Sequence, residues 1–256
     1  MSGVHAQTGG VQSVERAFHV LELMATAGGS AGVSALSEAA DLPLPTIHRL
    51  IRTLVSGGYV RQLPSRQYAL GPKLIRLGES AAGLIGEWAR PHLFELVKAT
   101  GETANMAVLD GTEAVYVAQV PSAHAMRMFT EVGRAVFLHC TGVGKALFTQ
   151  ISDEEVCSIV ARTGLPAQTE NTHTDIDELL ADLELSRCRG YAIDEGEQEI
   201  GVRCFAVPVL DAPALTAISV SGPAARITME SADRIVPLLK NVAKELTAKF
   251  DASAAL

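Results

Sequence analysis

At 256 residues the chain exceeds the ~150 typical of one domain, so two modest domains are the expectation. Hydrophobic residues make up 48% and charged residues 20%, with 11 prolines, which excludes a disordered, collagen-like or coiled-coil chain. The net charge of −8 argues against nucleic acid as a partner only until it is divided: six cations face four carboxylates up to Lys73, whereas fifteen face twenty-five beyond it.

No acidic residue occurs between Asp41 and Glu79, a stretch that holds Arg49, Arg52, Arg61, Arg66, Lys73 and Arg76. Such a run is by itself no more than a solvated face, and its patterning has to decide. From Ser13, the residues Val14, Ala17, Phe18, Leu21, Met24 and Ala25 recur at the spacing of one helix face, and Gly28 and Gly29 end that helix. Ser34 is placed to cap a short second helix that turns Leu36, Ala39 and Ala40 inward. After the turn at 41–45, Pro45 presets a third helix that buries Ile47, Leu50, Ile51 and Leu54. Steps of ~100° put Arg49, Arg52 and Ser56 on its outer side, with Thr46 and His48 flanking them near the helix start. Two short helices joined by a tight turn form a helix-turn-helix, whose later helix enters the DNA major groove. Arginine suits guanine edges, and threonine and histidine suit phosphates. Segments 59–63 and 66–70 alternate around Pro64 and Ser65 as a hairpin, a wing whose Arg61 and Arg66 lie beside DNA.

The apolar residues Leu74, Leu77, Gly78, Ala81, Leu84, Ile85 and Trp88 predict one long connector helix ending near Pro91, with a stripe suited to a second subunit. A further helix covers 91–100. Residues 103–109 and 114–120 form a hairpin around the turn of Asp110 and Gly111. Strands are expected at 126–132, 202–210 and 215–220. Helices are expected from Ser152, with Glu155 completing a capping box, from Thr174 and around Thr228. Hairpins interleaved with helices indicate an α+β fold.

No catalytic constellation accompanies these elements. The segment Thr141-Gly142-Val143-Gly144-Lys145-Ala146 is not a phosphate loop, because His139 stands where the first glycine belongs and Ala146 replaces the magnesium-binding hydroxyl. It remains a glycine-rich entry to a helix. His139 is expected to be structural, and no histidine is placed by motif beside Cys204. The cysteines Cys140, Cys157, Cys188 and Cys204 lie far apart, which predicts reduced thiols, mostly in the core, and neither disulfides nor a metal site. The longest apolar stretch, 207–220, is broken by Asp211 and Pro213, and no signal pattern opens the chain, so no membrane and a cytoplasmic location are expected.

The run from Val11 to Ala17, the turn Leu42-Pro43-Leu44-Pro45-Thr46-Ile47-His48-Arg49-Leu50, and Tyr68-Ala69-Leu70-Gly71-Pro72 resemble the IclR family of bacterial transcriptional regulators. Gly101-Glu102-Thr103-Ala104-Asn105 and Met126-Arg127-Met128 are similar to its allantoin- and glyoxylate-utilisation repressors. The resemblance implies a winged helix-turn-helix at 11–72, a connector at 73–90 and a GAF-like antiparallel effector domain at 91–252. On it, Ser13, Thr46, His48, Arg49, Arg52, Arg61 and Arg66 contact a palindromic operator in double-stranded DNA. Gly142, Val143, Asp194, Cys204, Ser219 and Ser221 contact a small effector, walled by Ala125, Met128, Val136 and Val202. The resemblance names glyoxylate, allantoin or a related ureido acid as effector; small residues in that wall imply a pocket roomier than glyoxylate fills and favour a ureido or amide acid. The resemblance further implies a homodimer or tetramer, a repressor more than an activator of a catabolic operon, and no cofactor. A GAF-like small-molecule enzyme and a metabolite-sensing interaction module are the alternatives.

Overall fold

A computed structural model of the chain describes residues 10–85, 87–127 and 130–254, and the side chains among them except those of 82–87 and 250–254. Two compact units divide it, residues 1–81 and 82–256.

The first unit packs α1 (Gln12–Thr26), α2 (Val33–Ala39) and α3 (Leu44–Ser56) against a small sheet of β1 (Ser30–Ala31), β2 (Val60–Gln62) and β3 (Tyr68–Leu70), in the order β1-β3-β2. Its core is Val20, Met24, Leu36, Ile47, Ile51, Leu54 and Val60. The buried face of α1 is rotated from the expected one. Val20 and Met24 are buried and Ala17 and Leu21 pack against the core, while Val14 and Phe18 stay 49% and 62% exposed. The apolar stripe is wider than this small core can cover, so its Val14–Phe18 side is left over. The second helix starts one residue before Ser34, with Gly32 at its N-cap and no side-chain cap. The turn into α3 is held by Ser37, whose hydroxyl donates to the Leu42 carbonyl at 2.6 Å, and by Asp41 in a left-handed conformation (φ 48°).

The connector helix α4 (Lys73–Ile85) does not run on to Trp88. Residues Glu87–Ala89 form a separate 3-10 turn, and Trp88 packs with Ala89 into the second unit's core, which draws the apolar end of the stripe away from α4.

In the second unit, β4 (Thr103–Asp110), β5 (Glu113–Val120), β6 (Ala135–Val136), β7 (Ala192–Glu195), β8 (Val202–Val209) and β9 (Thr216–Pro223) make one antiparallel sheet in the order β6-β5-β4-β9-β8-β7. Its two faces separate because strand residues alternate. Met106, Phe205, Val207, Ile218 and Val220 pack with α5 (Arg90–Thr100) and α9 (Ala232–Ala254). Ala107, Tyr116, Ala192, Ala206 and Ala217 pack on the other face with α6 (Gly142–Phe148), α7 (Asp153–Thr163) and α8 (Ile176–Arg189). Helix α7 carries the capping box of Ser152 and Glu155, and α8 is capped by Asp175 rather than Thr174.

The expected strand at 126–132 is not formed: its described residues are turn and coil, residues 128 and 129 lie outside the described ones, and the edge strand is β6, further along. Cys140 and Cys204 are buried, but Cys157 and Cys188 are exposed on α7 and α8, so only two thiols belong to the interior. Among the described residues no helix is long and apolar enough to cross a membrane.

Candidate DNA-reading face and effector site

In the first unit, α3 shows His48, Arg49, Arg52 and Ser56 to solvent, opposite buried Ile47, Ile51 and Leu54. A shallow groove of about 340 Å³ between α3 and the wing is lined by His48, Arg49, Arg52, Val55, Gln62 and Tyr68. The wing turns between β2 and β3 with Arg66 in a left-handed conformation (φ 66°), and both Arg61 and Arg66 are exposed. No carboxylate lies in the first turn of α3, so nothing there opposes an approaching phosphate. Ser13 and Thr46 are placed differently: they line, with Arg49, a second groove of about 620 Å³ whose walls include Phe18, Leu74 and Leu77. Three of the seven residues expected at DNA, His48, Arg49 and Arg52, thus line the α3–wing groove; Arg61 and Arg66 are exposed on the wing outside its lining, and Ser13 and Thr46 line the second groove with Arg49.

In the second unit, strand register assembles a polar row on the α6 face of the sheet. Asp194 lies opposite Cys204, Cys204 opposite Ser221, and Ser221 opposite Thr103. One rung away, Ser219 pairs with Asn105, and Asn105 with Gln119. The Gly142 amide and the Ser219 hydroxyl both hydrogen-bond the Cys204 thiol, which burial pushes up to about 12. Val202 occupies the same face of β8, two residues before Cys204. Val136 and Val143 pack in the adjoining cluster. Ala125 is exposed and outside these clusters, and Met128 lies outside the described residues. The row is closed over: Asp194, Cys204, Ser219 and Ser221 are all buried.

Asn105 is the row's unforeseen centre. Its amide donates to the Ser221 hydroxyl at 3.2 Å, and its carbonyl accepts from Thr130 at 2.8 Å and Gln119 at 3.2 Å. Asp194 accepts the backbone N–H of Glu197 at 2.8 Å and of Gln198 at 3.4 Å, so it caps the loop after β7. Behind the row, Lys145 is fully buried with its ammonium 2.7 Å from Asp182 and 2.6 Å from Glu197. Burial pulls its pKa down, but these carboxylates more than offset that and raise it. His173, Asp182 and Glu197 offer donor atoms within 4.8 Å of one another, yet the Lys145 ammonium already supplies the cation between the two carboxylates. His139 is buried, its Nε2 lies 3.2 Å from the Pro166 carbonyl, and burial lowers its pKa, as a structural histidine requires.

Profiles of known families match both units: the IclR helix-turn-helix domain over residues 13–64 and the bacterial transcriptional regulator IclR C-terminal domain over residues 83–248. The chain belongs to the IclR family. This IclR-family chain is 37% identical to the transcriptional repressor IclR of Escherichia coli strain K12 over 251 residues, 95% of this chain and 91% of that one. It is 34% identical to the repressor AllR of the same strain over 247 residues, 93% and 90% of the two chains. The crystal structure of a putative transcriptional regulator, RHA06195 from Rhodococcus sp. RHA1, superposes with a TM-score of 0.81 at 29% identity, covering 95% of this chain and all of that one. Membership makes the IclR-family chain a DNA-binding transcriptional regulator with a C-terminal effector-binding domain, not an enzyme. The thiol chemistry agrees, because a Cys204 with so raised a pKa is a poor nucleophile.

Asn105, Thr130, Lys145 and Glu197 were not foreseen as members of the site. Asn105 was legible only as part of a family-like pentapeptide, and Lys145 only as a failed phosphate loop. Neither pattern says which carboxylates, 37 and 52 residues away, fold back onto the lysine.

Proposed function

We propose that the chain is a repressor that reads a palindromic operator through Arg49 and Arg52 of α3, supported by Arg61 and Arg66 of the wing, with Ser13, Thr46 and His48 at phosphates. The observation that carries this reading is the α3–wing groove, lined by two arginines and a histidine within an acid-free segment. Arginine forks suit guanine edges in the major groove. Two copies are needed for a two-fold operator, so a homodimer or a pair of dimers is the working unit, acting in the cytoplasm.

The effector is a small carboxylate or ureido metabolite, for which glyoxylate and allantoin are the first choices, taken by Gly142, Val143, Asp194, Cys204, Ser219 and Ser221 with Val136 and Val202 beside them. Ala125 and Met128 complete the wall by family resemblance alone. Two hydroxyls, a thiol and a carboxyl on one sheet face provide donors and acceptors for a molecule of that kind. The effector acts by preferring one of two states of the regulator that differ in operator affinity.

A gel shift at fixed salt on the region upstream of the chain's own gene tests the DNA reading. Arg52→Ala is expected to lose about 1–3 kcal/mol of operator preference, and unchanged affinity refutes it. A thermal-shift screen of small carboxylic and ureido acids, followed by DNA release with the hits, tests the effector reading. Hits that stabilise the protein without releasing DNA count against it.

A further inference from the structure

We propose that Asp194 is the titrating group of the polar row, so that an anionic effector binds there together with a proton. The inference rests on the effector reading of that row. Asp194 is 4% exposed, and the groups that face it are nearly all neutral or negative. Cys204 of β8 lies directly opposite, and the charge of Asp194 is felt by Cys140, just before α6, and by Tyr116 of β5. Burial pushes both thiols up to about 12 and the phenol higher still, so none carries charge at neutral pH. From the loop after β7, the Glu197 carboxylate acts on Asp194 as a like charge, and its Oε2 is buried with no hydrogen-bond partner among the described residues.

The cation that acts on Asp194 is Lys145 of α6, held by Glu197 and by Asp182 of α8, with Arg189 also paired to Asp182 and His173 beside Asp182 and Glu197. Arg134 faces Tyr116. Glu195 and Arg203 pair with each other at alternate positions, on the opposite face of the sheet. Burial and the Glu197 charge therefore push Asp194 up to about 7, against the pull of the Glu197 and Gln198 N–H groups and of Lys145. An effector carboxylate brought into the row adds a further negative charge beside Asp194. It shifts the group upward again, takes a proton from solution, and binds less well as the pH rises past neutrality.

Infrared difference spectra of the full chain between about pH 5 and 9 read the neutral carboxyl without any ligand. The expected result is a band lost with a midpoint near neutrality, missing from Asp194→Asn and moved to lower pH in Glu197→Gln. No such band at any pH overturns the proposal. Calorimetric titration with glyoxylate above about pH 8, repeated in buffers of different ionisation heat, should then show uptake approaching one proton. The affinity should fall by about tenfold per pH unit on the alkaline side in the wild type and stay flat in Asp194→Asn. Glyoxylate binding without pH dependence also overturns it. A titrating band with no glyoxylate heat supports the titrating carboxyl and removes glyoxylate from the effector reading.

Discussion

Gly71 has no room for a side chain, because a Cβ there would meet the Gly58 carbonyl oxygen and the Tyr59 backbone, while its own N–H donates to the Tyr59 carbonyl at 2.7 Å. It seals the end of the wing against the end of α3. Gly71→Ala is expected to destabilise the first unit by about 1–3 kcal/mol, read as a lowered melting transition of the full chain. Lys145 tests the second unit. Lys145→Ala leaves the carboxylates of Asp182 and Glu197 without their cation, at a cost of about 3–5 kcal/mol, whereas Lys145→Met with Glu197→Gln should recover much of the loss. Equal losses in the two variants would show that packing, not charge, sets the penalty. Asp194 gives a pH dependence of opposite sign to that of a salt-bridged acid. Its folded pKa of about 7 exceeds the ordinary 3.8, so wild-type stability drains away between about pH 4 and 7. The melting temperature of Asp194→Asn should draw ahead of the wild type across that window and hold a constant lead above it. The sequence offered Asp194 as an effector contact by family resemblance, while its two accepted N–H bonds show that it also caps the loop after β7.

At the scale of elements, periodicity located α3 well because its apolar positions and the core it meets have nearly the same width: Ile47, Ile51 and Leu54 are buried, Leu50 is half-buried against them, and His48, Arg49, Arg52 and Thr53 are exposed. It misplaced the buried face of α1 because spacing alone cannot tell a stripe facing one core from a stripe shared between a core and a groove. The wing was legible from alternation around Pro64 and Ser65, but β6 was not, since two residues carry no period. The α3–wing pair makes distinct predictions for its parts. Arg49→Ala should relax base preference, whereas Arg66→Ala should weaken binding to operator and random DNA alike and lower the salt slope by about one. Filter binding across a salt series separates them; an unchanged slope for Arg66→Ala removes the wing tip from the phosphate contacts.

For the whole molecule, the division of charge matters more than its sum. On the proposed DNA reading, an acidic second unit would repel stray nucleic acid while the cation-bearing segment holds an operator, which would favour specific over random sites. The exposed Phe18 and Leu77 share the larger groove of the first unit, an apolar surface suited to a second copy. Leu77→Glu is expected to shift the sedimenting species toward monomer and to cost operator affinity far more than half-site affinity. A dimer unaffected by Leu77→Glu would move the subunit contact elsewhere. The closed polar row carries a kinetic consequence. An effector can reach Asp194, Cys204, Ser219 and Ser221 only after their cover opens, so at high effector concentration the observed binding rate should level off at the opening rate instead of rising linearly. How quickly the regulator answers a surge of metabolite is then set by the protein's own breathing, not by how much metabolite there is.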